Sequence, residues 1–262
     1  MTSVERAKSM ACMQIEEARS TARIRKAYTA IIVSNAQSLY PIFQTQQQRQ
    51  LLSEALKDKD TDNSMLLRGL LLQLNGAFEN FIRLLCTAIV ETKSAHSATY
   101  SAIDERLRRD HLHHSATILT HQRQGHVNGL KYDFGTLKTS LAKCLLDAAD
   151  FKVQSDVFTF LMGNCTSGRL TELFKSLSLQ DPFSDSLGQN PSLKEWANDR
   201  SNRRVSNAAK SALDDHISLR NDIAHGNLTK TVSDTEFESC ATFFGALIEA
   251  LSDKVSTELQ LS

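Results

Sequence analysis

From Ser64 to Glu91 the chain runs without a proline, and its apolar side chains recur at helical spacing. Leu67, Leu70, Leu71, Leu74, Phe78, Phe81, Ile82, Leu85 and Ile89 fall on one face of a helical wheel. A stripe this long and wide specifies one long helix that other elements must cover. The rest of the composition agrees. Only three prolines and ten glycines are spread over 262 residues, and aromatics make up 6%. Leu and Ala are plentiful, which favours helices over strands. No alternating strand pattern of useful length and no internal repeat appears. A chain of this length can bury a sizeable core. The expected fold class is all-α: a helical bundle over residues 61–262, preceded by an N-terminal helical extension over residues 1–60.

Punctuation along the chain divides it further. Residues 3 to 57 read as two or three helices with a break near Pro41, and Gln44 to Gln50 as a solvated helix face. Lys57 to Asn63 is a charged linker ending in good cap residues. Beyond the long helix, Ser101 to Gln122 reads as a second helix. Gly125 to Gly135 reads as a loop, and shorter helices follow over Leu137–Asp150 and Val153–Met162. Residues 163–191 hold the two remaining prolines and many Ser and Asp, and read as a partly ordered excursion between core helices. Within it, Asn190-Pro191 has the form of a helix start. On a helix over Asn202 to Ala224, Val205, Ala208, Ala209, Ala212, Leu213, Leu219 and Ile223 form one face. The last helix opens with a capping box of Ser233 and Glu236, with Val232 stapled against Phe237.

The formal net charge is zero, with 30 basic and 30 acidic residues. A broadly basic coat for non-specific nucleic-acid binding is thereby excluded, while a local basic groove is not. The five cysteines Cys12, Cys86, Cys144, Cys165 and Cys240 lie far apart with no metal-type spacing. They read as core thiols of a cytoplasmic protein. Charges near the N-terminus argue against a signal peptide, and no apolar run reaches membrane-spanning length. No membrane partner and no cofactor are expected.

The chemistry concentrates in Arg220-Asn221-Asp222-Ile223-Ala224-His225-Gly226. Arginine supplies a fixed fork of donors for a phosphate, and histidine exchanges a proton near neutral pH. Arg220 falls within the apolar arc of its helix, where a charge requires a paired, hydrogen-bonded partner. Asp222 is too close in sequence to face the same way, so Glu79 is the candidate carboxylate. Alternatively, Glu79 pairs with Arg83 one turn on. His225 lies about 140° round an ideal helix from Arg220. Gly226 and Asn227 suit a left-handed cap, so a helix ending at His225 frees the imidazole to swing back or toward a second subunit. On the long helix, Arg68, Asn75, Glu79 and Arg83 form a polar stripe beside Gly69 and Gly76. This stripe reads either as a surface for a docked helix or ligand, or as an ordinary solvated face.

Arg220, Asn221 and the closing Ala224-His225-Gly226 resemble the motif of the HEPN superfamily. The helix running from Leu66-Leu67-Arg68-Gly69 through Phe78-Glu79-Asn80-Phe81-Ile82-Arg83 resembles the first core helix of its stand-alone prokaryotic members, which carries an acidic residue near the motif. The similarity extends from about Asn63 to the C-terminus, with a poor match between Gly125 and Pro191. The resemblance implies a HEPN-like up-and-down helical bundle that forms a homodimer, in which two Arg–His motifs meet in a composite cleft. It implies a metal-independent endoribonuclease of a defence or toxin–antitoxin system, with RNA as substrate and an antitoxin or defence-system protein as partner. Arg220 would bind the scissile phosphate and the charge developing on it. His225 would act as general base on the 2′-OH or general acid on the leaving 5′-oxygen. Asn221 and Asp222 would orient the loop or the imidazole. Some HEPN toxins are controlled by nucleotidyl transfer to a tyrosine two residues after the histidine; here that position is Asn227, so the control is not expected.

Two other functions compete. In one, the chain is a non-catalytic helical module that binds RNA or protein and uses Arg220 structurally. In the other, the cluster His111, His113, His114, His121 and His126 holds a metal. Interleaved Arg108, Arg109 and Arg123 would repel a cation, and no cysteine is near, so no metal site is expected. Arg200, Arg203 and Arg204, with Lys210, precede the motif and read either as a guide for an RNA backbone or as a solvated face.

Overall fold

The computed structural model describes residues 2–39, 45–47, 50, 53, 64–123, 134–160, 163–226 and 231–261. Among them there is no strand, and the long elements are α-helices: α1 (Ser3–Leu39), α2 (Ser64–Ala95), α3 (Glu105–Arg123), α4 (Phe134–Leu145), α5 (Asp156–Phe160), α6 (Ser167–Ser176), α7 (Pro191–Ala197), α8 (Asn202–Ala224) and α9 (Asp234–Leu261). Single 3-10 turns at Tyr100–Ala102 and Leu187–Gln189 complete the set.

The stripe that defines α2 is buried along its whole length. It is covered by α1 and α9, which also pack against each other. On α9 the apolar positions Phe237, Cys240, Ala241, Phe244, Ile248, Leu251 and Val255 are all inaccessible. The cap of α9 forms as the sequence specifies: Glu236 accepts from the Ser233 N–H at 2.8 Å, and the Glu236 N–H donates to Ser233 Oγ at 3.2 Å. The start of α7 is likewise a cap, with Asn190 Oδ1 accepting from the Leu193 N–H at 3.2 Å and Pro191 in the first turn.

The region before Pro41 forms one helix, α1, which ends at Leu39 by the expected break, and its stripe Val4, Ala7, Ala11, Ile15, Ala18 and Ala22 belongs to the same core as α2 and α9. Small side chains at most of these positions let the α1 backbone lie close to its neighbours. Arg19 then reaches across to Thr242 Oγ1 at 2.7 Å. Pro41, Gln44, Gln48, Arg49 and the charged linker lie outside the described residues, and the rest of the glutamine-rich patch, Thr45, Gln46, Gln47 and Gln50, is exposed.

Residues 163–191, expected as a partly ordered excursion, carry α6 and a 3-10 turn and pack into the core. Cys165, Leu170, Leu173, Phe174, Leu177, Phe183 and Leu187 from this segment are buried in the core. Periodicity is short here, and Ser and Asp mask it; Asp181, Asp185 and Ser186 are exposed, but Ser167 is buried and clamps the segment to the bundle. Ser167 donates from both its N–H and its Oγ to Asp214 of α8, at 2.8 and 2.6 Å.

An aromatic joint fixes α8 to the rest. Phe78 of α2 meets Phe244 of α9 at 5.1 Å between centroids, and Phe243 meets Trp196 of α7 at 4.8 Å. His216 of α8 lies against both Phe243 and Phe244, and its burial holds its pKa below the usual imidazole value.

The histidine-rich helix α3 has a structural core. His111 is fully buried. The Gln154 N–H donates to its Nε2 at 3.3 Å, so the proton sits on Nδ1 and donates to Tyr100 Oη at 3.0 Å. Tyr100 in turn donates to the Arg108 carbonyl at 3.0 Å. With both nitrogens engaged, His111 has none to offer a metal. Among the described residues no group of three His, Cys, Asp or Glu side chains stands close enough to hold one. The side chain of His121 and the whole of His126 lie outside the described set.

Burial, with His114 nearby, pushes the pKa of His111 down from 6.5 to about 4. The folded protein therefore binds fewer protons than the unfolded chain between those values. Stability is complete above about pH 6.5 and falls as the pH drops toward 4, by about 3 kcal/mol from this residue. The expected observation is an imidazole resonance for His111 that stays neutral down to about pH 4 in the folded protein, alongside a falling unfolding free energy.

Candidate active site at the end of α8

Ser201 caps the start of α8, where its Oγ accepts from the Arg204 N–H. The helix ends where the sequence places its stop. The His225 N–H still donates to the Asn221 carbonyl at 2.9 Å, but Gly226 has φ +79° and turns the chain away. His225 is therefore the C-cap residue, exposed on the surface. Its ring makes no hydrogen bond among the described residues. Asn227 lies outside them.

One turn earlier, Arg220 is held from three sides. Its Nη1 donates to Asn221 Oδ1 at 3.1 Å and to Asn164 Oδ1 at 3.1 Å. Its Nη2 lies 3.6 Å from Glu79 Oε1 of α2, with side-chain exposures of 28% and 20%. That separation is beyond hydrogen-bond reach, so the pair is Coulombic, but partial burial strengthens it over a surface pair. Glu79 thus meets Arg220 across the helix packing; Arg83 is exposed on the same helix.

Asn221 serves the arginine rather than the imidazole, because its side-chain oxygen accepts from both Arg220 and Asn164 Nδ2, the latter at 3.2 Å. Asp222 is half-buried. Cys165, directly after Asn164, is fully buried, and desolvation pushes its thiol far up, with Glu79 adding to the effect.

Nothing in the sequence marks Asn164, which sits in the segment expected to be only partly ordered, far in sequence from the motif. The only local hint is the polar run Asn164-Cys165-Thr166-Ser167, in which Thr166 caps α6.

Arg200, Arg203 and Arg204 are at the other end of the helix. From Arg204 to Arg220 the rise is about 24 Å. Arg204 is also committed to Asp199 through two hydrogen bonds of 2.6 and 3.0 Å. That pairing lowers the Asp199 carboxyl to about 2. On the polar stripe of α2, Asn75 is fully buried and Gly69 and Gly76 face open space.

The fold and this cluster define an all-helical protein with an arginine and a histidine gathered at one helix terminus. The RiboL-PSP-HEPN family model matches residues 44–257, and the chain belongs to that family. The match runs through residues 125–191, where the motif-based resemblance was poor. No curated protein and no solved structure matches the chain. Family membership points to a nuclease or RNA-related function. No helix among the described residues is long and apolar enough to cross a membrane.

Proposed function

We propose that the protein is a metal-independent endoribonuclease that acts as a homodimer in a defence or toxin–antitoxin setting, with Arg220 and His225 as its catalytic residues. The observation that carries this reading is the arrangement at the end of α8. A half-exposed guanidinium is fixed by two neutral amides, while the imidazole five residues on stands at the surface. The amides carry no charge and Glu79 stands beyond hydrogen-bond reach at 3.6 Å, so the guanidinium keeps exposed surface for an incoming phosphodiester, which finds a preorganised cation. Attack of the 2′-oxygen forms a new bond to phosphorus and breaks the bond to the 5′-oxygen. One histidine takes the 2′-proton and a second protonates the leaving oxygen. Two copies of the motif in one cleft would supply both, which is the chemical reason for a dimer. A requirement for the 2′-hydroxyl makes DNA inert.

A second reading has its own support. Arg220 is engaged by Asn164, Asn221 and Glu79 at once, as a structural arginine of a non-catalytic RNA- or protein-binding module would be. The test incubates the protein with labelled single-stranded RNA in EDTA, beside His225→Ala and Arg220→Ala. Cleavage to 2′,3′-cyclic phosphate ends by the wild type alone is expected. Equal cleavage by all three proteins, or by none, rejects the assignment. A solution mass of one subunit would remove the composite cleft. Growth arrest on expression of the wild type, but not of His225→Ala, is the expected cellular counterpart.

A further inference from the structure

Asn164 contributes more than support for an arginine. A guanidinium has only donors, so an amide packed against it must turn its oxygen inward and its nitrogen outward. Both Asn164 and Asn221 do this. Each amide nitrogen carries two hydrogens, and Asn164 spends one of them on Asn221 Oδ1. Beside the partly exposed cation this leaves a rim of spare N–H groups, one on Asn164 and two on Asn221, with the Glu79 carboxylate 3.6 Å from Arg220 Nη2.

Such a rim fits a group that is all acceptors and carries negative charge, as the non-bridging oxygens of a phosphodiester do. It is also rigid. Cys165 is buried next door, Thr166 caps α6, and Ser167 is clamped twice to Asp214 on the same helix that carries Arg220. Donors held this way need no reordering when the anion arrives.

We propose that Asn164 is a phosphate-binding residue whose Nδ2 donates to a backbone phosphate oxygen of RNA alongside Arg220. This rests on the reading of Arg220 as a phosphate ligand given above.

The experiment is a double-mutant cycle on binding of an uncleavable 2′-O-methyl RNA oligonucleotide at fixed salt. It uses the full chain, Asn164→Ala, Arg220→Met and the double variant, each with a thermal melt. Methionine keeps the aliphatic stem of Arg220 without its charge. The Asn164–Asn221 hydrogen bond is independent of the guanidinium and holds Asn164 in place in that background. Asn164→Ala is expected to weaken binding about 10-fold in the wild-type background. It should still weaken binding several-fold when Arg220 is already gone.

If Asn164→Ala is silent in the Arg220→Met background, Asn164 acts only through the arginine and the inference is overturned. Silence in the wild-type background overturns it as well. If Arg220→Met binds as tightly as the wild type, or the wild type does not bind, it is the reading of the site itself that fails. Should Asn164→Ala melt early, Asn164→Ser, which retains a small polar side chain, replaces it in the same cycle.

Discussion

His225→Ala is expected to slow RNA cleavage by about 10²- to 10⁴-fold, the range for loss of a general acid or base. Its melting temperature should stay that of the wild type, because the ring is exposed and makes no hydrogen bond among the described residues. The helix end does not depend on it either: the cap is closed by the backbone N–H of residue 225 and by the positive φ of Gly226, which alanine at 225 preserves. Arg220→Ala should behave differently. It removes the phosphate ligand, and it also leaves the part-buried Asn164 amide oxygen without its donor and the Glu79 carboxylate without its cation, at about 1–3 kcal/mol of stability. The pair of variants therefore separates catalysis from scaffolding. Loss of activity in both, with loss of stability in Arg220→Ala alone, fits the nuclease. Loss of stability in Arg220→Ala with His225→Ala unchanged in every assay would instead describe a binding module. Arg220→Lys should not restore the wild-type rate, since an ammonium cannot reach two amides and a phosphate with the fixed geometry of a fork.

Local patterns in the chain gave away the elements that carry strong periodicity and complete caps. The α2 and α9 stripes, the bounds of α8 and the Ser233–Glu236 box are all readable because each depends on residues within a few positions of one another. The approach of Glu79 to Arg220 was also legible, through the cost of placing an arginine on an apolar arc. What escaped notice depends on distance in sequence. Asn164 joins the site only because Ser167 is bonded to Asp214 across 47 positions, and nothing local marks that pairing. Residues 163–191 misled for a related reason. Ser, Asp and Pro signal a loop when their side chains face water, but Ser167 and Asn190 bond to Asp214 and Asp253. The histidine cluster was set aside as a metal site on its interleaved arginines, but nothing local marks His111, among its described members, as the one buried in a hydrogen-bonded network with Tyr100 and Gln154.

The position of α8, and with it the site, is set at its far end by Gly188, and Gly188→Ala should be among the most damaging single substitutions. A Cβ at that position would lie 1.9 Å from the carbonyl oxygen of Asn202 and 2.7 Å from its carbonyl carbon. Both are backbone atoms of the first turn of α8, so no side chain can rotate away; the 3-10 turn or the helix must move. The surroundings resist that movement. Ser206 donates to the Ser184 carbonyl at 2.8 Å, and the buried Lys254 donates to Ser184 and Ser186 while pairing with Glu258 at 2.8 Å. Separating these groups would strand a buried charge and polar atoms together. The expected loss is about 3 kcal/mol or more, at or beyond the upper end of ordinary overpacking. Gly76→Ala provides the control of opposite sign. It lies within α2, nothing stands within 4 Å of its added methyl, and alanine in a helix interior is favoured by about 0.5–1 kcal/mol. Chemical denaturation of the two variants beside the wild type measures both. A Gly188→Ala protein as stable as the wild type would mean that α8 is free to slide on its neighbours, and the fixed geometry assigned to Arg220 would lose its support.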